Sequence, residues 1–345
     1  MKFSSAILTL ILSAALSGVA AAQKPAPAPP APPDPPDAED FALERRASAA
    51  PDVSVTLCLA TGNVSVRGWD RNEVRARSVE SGKLVMQVAG DQPAKRIEVL
   101  ASRDEDHEIV SGDCGVTDAI ELAVPRGASV QLTVHEGNVE VEGVAEVRVQ
   151  ELSGDVELRG VSRSAEVTTM SGDITLSDSK GRARLHAVSG SVEALNVGPT
   201  SSGDALEAST TSGDVTLEDV RHARVSGVTI SGNVRASGAL VRGGSYDYKT
   251  TSGNVTLALP ADSSFRLNAR VVLDGSIVTD FPVKTAGAAP VSPTSPPDPP
   301  TTSMGPRAPR RPPGPQSTRL VGTVGTGDAS LNLTSFSGTL HLKRQ

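Results

Sequence analysis

Between residues 129 and 259 apolar and polar positions alternate in short runs, and the runs are punctuated by a glycine turn of the form Ser-Gly-Asp or Ser-Gly-Asn, once Ser-Gly-Ser. The turns begin at Ser153, Ser171, Ser189, Ser212, Ser231 and Ser252, so successive copies lie 18, 18, 23, 19 and 21 residues apart. Aligned on Gly137, Gly154, Gly172, Gly190, Gly213, Gly232 and Gly253, the chain has an apolar residue two places later in every copy: Val139, Val156, Ile174, Val192, Val215, Val234 and Val255. A second apolar residue follows two places further on, and because strand side chains alternate with period two, both point to one face. Glu140, Glu157, Thr175, Glu193, Thr216, Arg235 and Thr256 fall between them and take the other face. Upstream, pairs such as Val147 and Val149, Ala183 and Leu185, and Tyr246 and Tyr248 mark a second short strand. A near-constant short period of this kind predicts stacked repeats. The expected fold is all-β: one β-solenoid (β-helix-like) of about 18–23-residue coils, roughly eight to ten in number, stacked about 4.8 Å apart over a core of Val, Leu, Ile and Ala.

The same alternation occurs at Val53 to Val66 and at Ile120 to Val141, separated by a looser, more charged stretch. Residues 51–136 are therefore expected to form an irregular N-terminal β cap, 137–283 the solenoid proper, and 319–345 a C-terminal coil that resumes the pattern at Ser337-Gly338. Residues 284–318 are dominated by Pro, Ala, Ser and Thr, a composition too poor in apolar side chains to pack, and are expected to be disordered. The beginning of the chain reads as a signal peptide over 1–22, with Lys2, an apolar run from Ala6 to Leu16 and a small-residue site at Ala20-Ala21-Ala22. A Pro-rich linker follows over 23–50.

Loss of the signal peptide would move the net charge from −7 to −8 by removing Lys2. An acidic exported protein has no electrostatic attraction to nucleic acid, and no later segment has the run of roughly 18 apolar residues that an integral membrane span requires. The expected location is the periplasm or the cell surface. Cys58 and Cys114 are the only cysteines. In an oxidising compartment they form either one disulfide or two unrelated buried thiols, and spacing alone leaves both open.

Several residues invite a chemical role. Asp155, Asp173, Asp214, Asn233 and Asn254 sit at the corners like a calcium ladder, but Asn replaces Asp and Ser191 takes the place once. The simpler expectation is a structural turn, with Gly at positive φ and Ser or Asx side chains bonded to local backbone. Glu140, Glu157 and Glu193 share a column that a glycan-cleaving solenoid could use, interrupted by threonines. Trp69, Tyr246 and Tyr248 alone could stack a sugar, and both tyrosines fall at inward positions. His107, His135, His186, His222 and His341 have no repeated partner, no Gly-x-Ser-x-Gly elbow occurs, and Gly325-Thr326-Gly327 is too short for a phosphate loop. Thr169, Thr210, Thr229 and Thr250 recur three places before the corner glycine, as sheet-stabilising threonines or as an exposed hydroxyl ladder. Arg307, Arg310 and Arg311 mark a flexible linker or a site for an acidic partner. No catalytic, metal or cofactor site is expected.

The corners at Ser153, Ser171, Ser212 and Ser252, the step Ala123-Val124-Pro125-Arg126-Gly127, the run Leu257 to Asp262 and the terminal Gly-Thr-Gly-Asp and Ser-Gly-Thr-Leu steps resemble a bacterial family of exported β-strand repeat proteins. That family is labelled putative adhesin and otherwise domain of unknown function 4097, and the resemblance covers about 50 to 283 and 319 to 345. It implies a non-enzymatic solenoid presenting an extended binding surface to an envelope protein or glycan. An envelope-stress scaffold that binds another envelope protein is the alternative, glycan cleavage a weaker one, and end-to-end self-association is compatible with the architecture.

Overall fold

The computed structural model describes residues 42–79, 82–90, 92–104, 110–285 and 317–345. The expected signal peptide, most of the two Pro-rich segments, His107, Arg307, Arg310 and Arg311 lie outside the described residues. The rest is all-β, with 24 strands hydrogen-bonded into one continuous sheet that winds around an apolar core.

Each regular coil contributes a long strand before the corner and a short strand after it, as in Ser164–Ser171 and Ile174–Ser177. Both pair in parallel and in register with their counterparts in the neighbouring coils: Val167 lies opposite Val149 and Leu185, and Ile174 opposite Val156 and Val192. Register is held because slipping by one residue would turn every Val and Leu outward. The inward columns are buried to within a few per cent of full exclusion, Tyr246 and Tyr248 included.

Chain order and stacking order part company at both ends. Strand Leu43–Trp69 already forms the first coil, with Val53, Val55, Leu57, Leu59, Val64 and Val66 in the core. Its two halves pair in parallel with Ser129–Glu136 and Val139–Glu142. The expected cap over 51–136 is therefore divided: residues 53–69 and 129–136 are coil. The cap lies on the outer side of the first coil, where Ala94–Ser102 and Gly115–Pro125 stack in parallel with it. Two antiparallel additions, Lys83–Ala89 and the ladder of Glu73–Ser78 with Leu43 to Ser48, finish the edges there.

At the other end, the coil after Val255–Leu259 in sequence is not the next in space. Ala329–Ser337 lies between Ser245–Ser252 and Phe265–Val271, and Leu340–Arg344 lies between Val255–Leu259 and Ile277–Thr279. The returning segment thus inserts as the penultimate coil. The 319–345 segment therefore supplies both this coil and, through Thr318–Val324 antiparallel to Phe265–Val271, the strand that closes the stack.

Cys58 and Cys114 are joined in a disulfide, their Cα atoms 4.5 Å apart. The bond pins the cap to the first coil across 56 residues of sequence, a loop closure worth about 4 kcal/mol by chain entropy.

Candidate interaction surfaces

The corner is bonded from coil to coil by both backbone and side chains. Its glycines form a column of ten, Gly62, Gly137, Gly154, Gly172, Gly190, Gly213, Gly232, Gly253, Gly338 and Gly275. From Gly137 to Gly275, a Cβ on each would meet the carbonyl oxygen of the preceding glycine at 1.8–2.2 Å. No side chain fits at that distance. The regular-coil glycines also hold φ between 139° and 156°, which L-residues with a side chain rarely adopt.

The Asx residue after the glycine bonds between coils rather than within its own turn, which corrects the local bond expected from sequence. Asp155 Oδ1 accepts the backbone N–H of Asp173 at 2.9 Å, and Asp173 Oδ1 that of Ser191 at 2.7 Å. Asn233 passes the pattern to Asn254, and Asn254 to Thr339. Only Oδ1 is needed, so Asp and Asn exchange freely.

The threonines three places before the glycine are buried, so they present no hydroxyl ladder to a ligand. Three of the four hydroxyls donate to the glycine carbonyl of the preceding coil: Thr210 to Gly190 at 2.8 Å, Thr229 to Gly213 and Thr250 to Gly232 at 2.9 Å, with Ser335 serving Gly253. Glu151 occupies this column one coil earlier. It is 5% exposed, accepts the Thr169 hydroxyl on Oε2 at 2.5 Å, and leaves Oε1 without a partner. Burial pushes its carboxyl up to about 7, against the opposing Thr169 and Ser153 hydrogen bonds and with a further push from Asp155.

A second turn column went unread in the sequence. Six places after the corner glycine, Gly143, Gly160, Asp178, Asn196, Asp219 and Gly238 all have positive φ. The signal was there, since each is Gly, Asn or Asp, the residues that enter the left-handed region most easily.

The outward surface divides into polar sheet faces and an apolar edge. On the long-strand face Arg148 pairs with Glu166 at 2.7 Å and Arg184 with Glu207 at 3.1 Å, each bridging adjacent coils. On the short-strand face, register sets Glu140 beside Glu157, while Thr175 separates Glu157 from Glu193. Glu157 is ion-paired with Arg159 at 3.3 Å. Along the corner edge, two places before the glycine, Leu152, Met170, Ile230 and Phe336 are 46%, 52%, 50% and 44% exposed.

A family model described as Toastrack DUF4097 matches residues 51–227 and again 200–287. The chain belongs to this Toastrack family. The matched span takes in the cap, the regular coils and the Phe265–Val271 strand, and it ends before the segment that returns to insert beside them. None of the curated proteins matches the chain. Among solved structures, a putative cell adhesion protein from Clostridium sporogenes is similar over 88% of this chain and 99% of its own, at 8% identity and a TM-score of 0.23. At that score the likeness carries no argument about this Toastrack protein.

The histidines are scattered through the Toastrack fold. His222 is buried, its Nε2 2.6 Å from the Gly181 carbonyl, and burial lowers its basicity. His186 Nδ1 lies 2.9 Å from Ser209 Oγ on the surface. Trp69 is stacked by Arg71 and Arg75, at 5.1 and 5.0 Å from its centroid. Among the described residues no helix is long and apolar enough to cross a membrane.

Proposed function

We infer that this chain is an exported, non-enzymatic Toastrack protein that presents an extended face at the cell envelope for binding a glycan or another envelope protein. The observation that carries this reading is the in-register stacking of outward side chains: every coil repeats the same polar positions at the strand spacing of about 4.8 Å, from Glu140 through Glu157, Thr175, Glu193, Thr216 and Arg235 to Thr256. Such a face suits an extended partner that makes the same contact many times, each weak and together selective. Family membership supports the architecture and leaves the ligand to the outward residues.

The test is retention on a glycan array and on whole cells, run beside a pull-down from envelope extract. Glycan or cell retention that falls when Glu157, Thr175 and Glu193 are replaced together by Lys supports the binding face. Recovery of one protein partner with no glycan retention moves the reading to an envelope scaffold. Polysaccharide turnover lost in Glu157→Gln and Glu193→Gln would overturn the non-enzymatic assignment.

A further inference from the structure

The corner edge carries a feature that the polar binding faces do not use. Two places before the corner glycine, from Gly154 to Gly338, one side chain per coil points outward: Leu152, Met170, Val188, the half-buried Thr211, Ile230, Thr251 and Phe336; one coil before Leu152 the same place holds the exposed His135. The flanking strand pairs are in register from coil to coil, as in Ser171 with Ser153 and Ser189, so these side chains stand in single file. Six steps of about 4.8 Å make a ridge about 29 Å long.

Negative charge is kept off the stretch from Leu152 to Phe336. On one flank stands the serine that precedes each corner glycine, and on the other the outward residue two places earlier in the strand, from Gln150 to Thr334. Over these seven coils neither flank contains an acidic residue, although the chain carries 40 of them and a net charge of −7; the second flank includes His186 and Lys249, and the first meets the exposed Glu136 one coil before Ser153. Asp155 and Asp173 lie beyond the corner glycine and are engaged in the coil-to-coil ladder.

We propose that this ridge is the interface of a side-by-side dimer in which a second copy of the chain packs antiparallel, ridge against ridge, about a twofold axis near Thr211. Three arguments select a second copy as the occupant. A ladder of knobs at the strand spacing is matched along its full length only by a surface with the same pitch, and another copy of this chain has it. Two acidic chains repel one another except where they meet through an acid-free strip, and this strip supplies one. The ridge with its flanks can bury on the order of 600 Å² per partner, just below the roughly 800 Å² of a standard stable interface, which fits a reversible dimer. Antiparallel packing sets Leu152 against Phe336, Met170 against Thr251 and Val188 against Ile230. A parallel twofold would instead place each side chain at the height of its own twin. Both ends of the long-strand sheet already finish in antiparallel strands, which favours the side over the end as the place of contact.

The experiment is sedimentation velocity of the full chain over a concentration series reaching about 500 µM, with dimerisation expected in the micromolar range. Met170→Glu and Ile230→Glu should each weaken dimerisation roughly tenfold or more by placing a carboxylate in the apolar contact. Thr175→Glu, on the short-strand face, should leave it unchanged. Urea unfolding of each variant separates loss of association from loss of fold. Orientation is read by cysteine crosslinking under mild oxidation: Thr211→Cys should link to itself, and Leu152→Cys should link to Phe336→Cys but not to itself. A chain that stays monomeric throughout overturns the proposal and leaves the ridge to a different protein. A dimer indifferent to Met170→Glu and Ile230→Glu, or growth into open-ended oligomers, overturns it as well. None of these readouts involves the envelope ligand, so the dimer and the binding face can fail separately.

Discussion

Each coil turns twice, and the two turns obey different rules. At the Ser-Gly-Asx corner the backbone holds φ near 140–156° while packing against the glycine carbonyl of the next coil, so a side chain is excluded twice over, by conformation and by contact. At the second turn φ is between 49° and 70° in five of the six coils, and a Cβ on Gly160 would meet nothing closer than 3.6 Å. Asp178, Asn196 and Asp219 occupy that turn without difficulty. A left-handed residue facing open space is a mild constraint; the same demand beneath another backbone is severe. Loop length varies on the second, tolerant side of the coil, which is why the repeat drifts between 18 and 23 residues while the corner stays uniform.

The comparison can be broken most directly at Gly172. Its Cβ would lie 1.8 Å from the Gly154 carbonyl oxygen, at φ 140°, so Gly172→Ala should cost about 4 kcal/mol or more, or prevent folding, in urea unfolding monitored by circular dichroism. A cost below about 1 kcal/mol would show that the corner relaxes and that the two turns are not different in kind.

The next largest effect lies under the corner at Glu151. Its folded-state carboxyl is raised from 4.5 to about 7, so the unfolded chain ionises first and stability is lost as pH climbs through that interval. At pH 8 the substitution Glu151→Thr, which restores the hydroxyl found at this position in other coils, should stabilise the protein by about 1–3 kcal/mol, with little gain at pH 4. Equal gains at both pH values would assign the effect to packing instead.

A smaller change separates the two functions of the Asx position. Asp173→Asn keeps the acceptor for the Ser191 N–H and should be close to neutral, whereas Asp173→Ala should lose about 1 kcal/mol. If calcium were the reason for these acids, Asp173→Asn would instead abolish a calcium-dependent rise in melting temperature. The smallest effect is expected at the second turn: Gly160→Asn should stay within about 1 kcal/mol of wild type.

Much of this was legible in the residue order. The glycine spacing and the apolar residues two and four places later specify strand, corner, face and stacking together. The same period-two parity puts Thr169, Thr210, Thr229 and Thr250 inward, since they share a face with the core residues two and four places before them; their recurrence drew attention to their hydroxyls first. What those hydroxyls bond could not be read, because the glycine carbonyl they reach belongs to a different coil. The Asx ladder was misread for that reason as well: turn chemistry suggests a local partner, and the partner stands one coil away.

The sequence by itself determined the coil, because alternation and glycine demand are local properties of a few consecutive residues. Only the tertiary structure decided the order of stacking. Parallel coils with interchangeable apolar columns accept any neighbour that keeps register, so Ala329–Ser337 can slip between Ser245–Ser252 and Phe265–Val271, and nothing in a repeating pattern records which copy stands next to which. The corner ridge has the same origin. Leu152 and Phe336 are ordinary exposed residues far apart in the chain, and they become two ends of one surface when the coils between them are stacked.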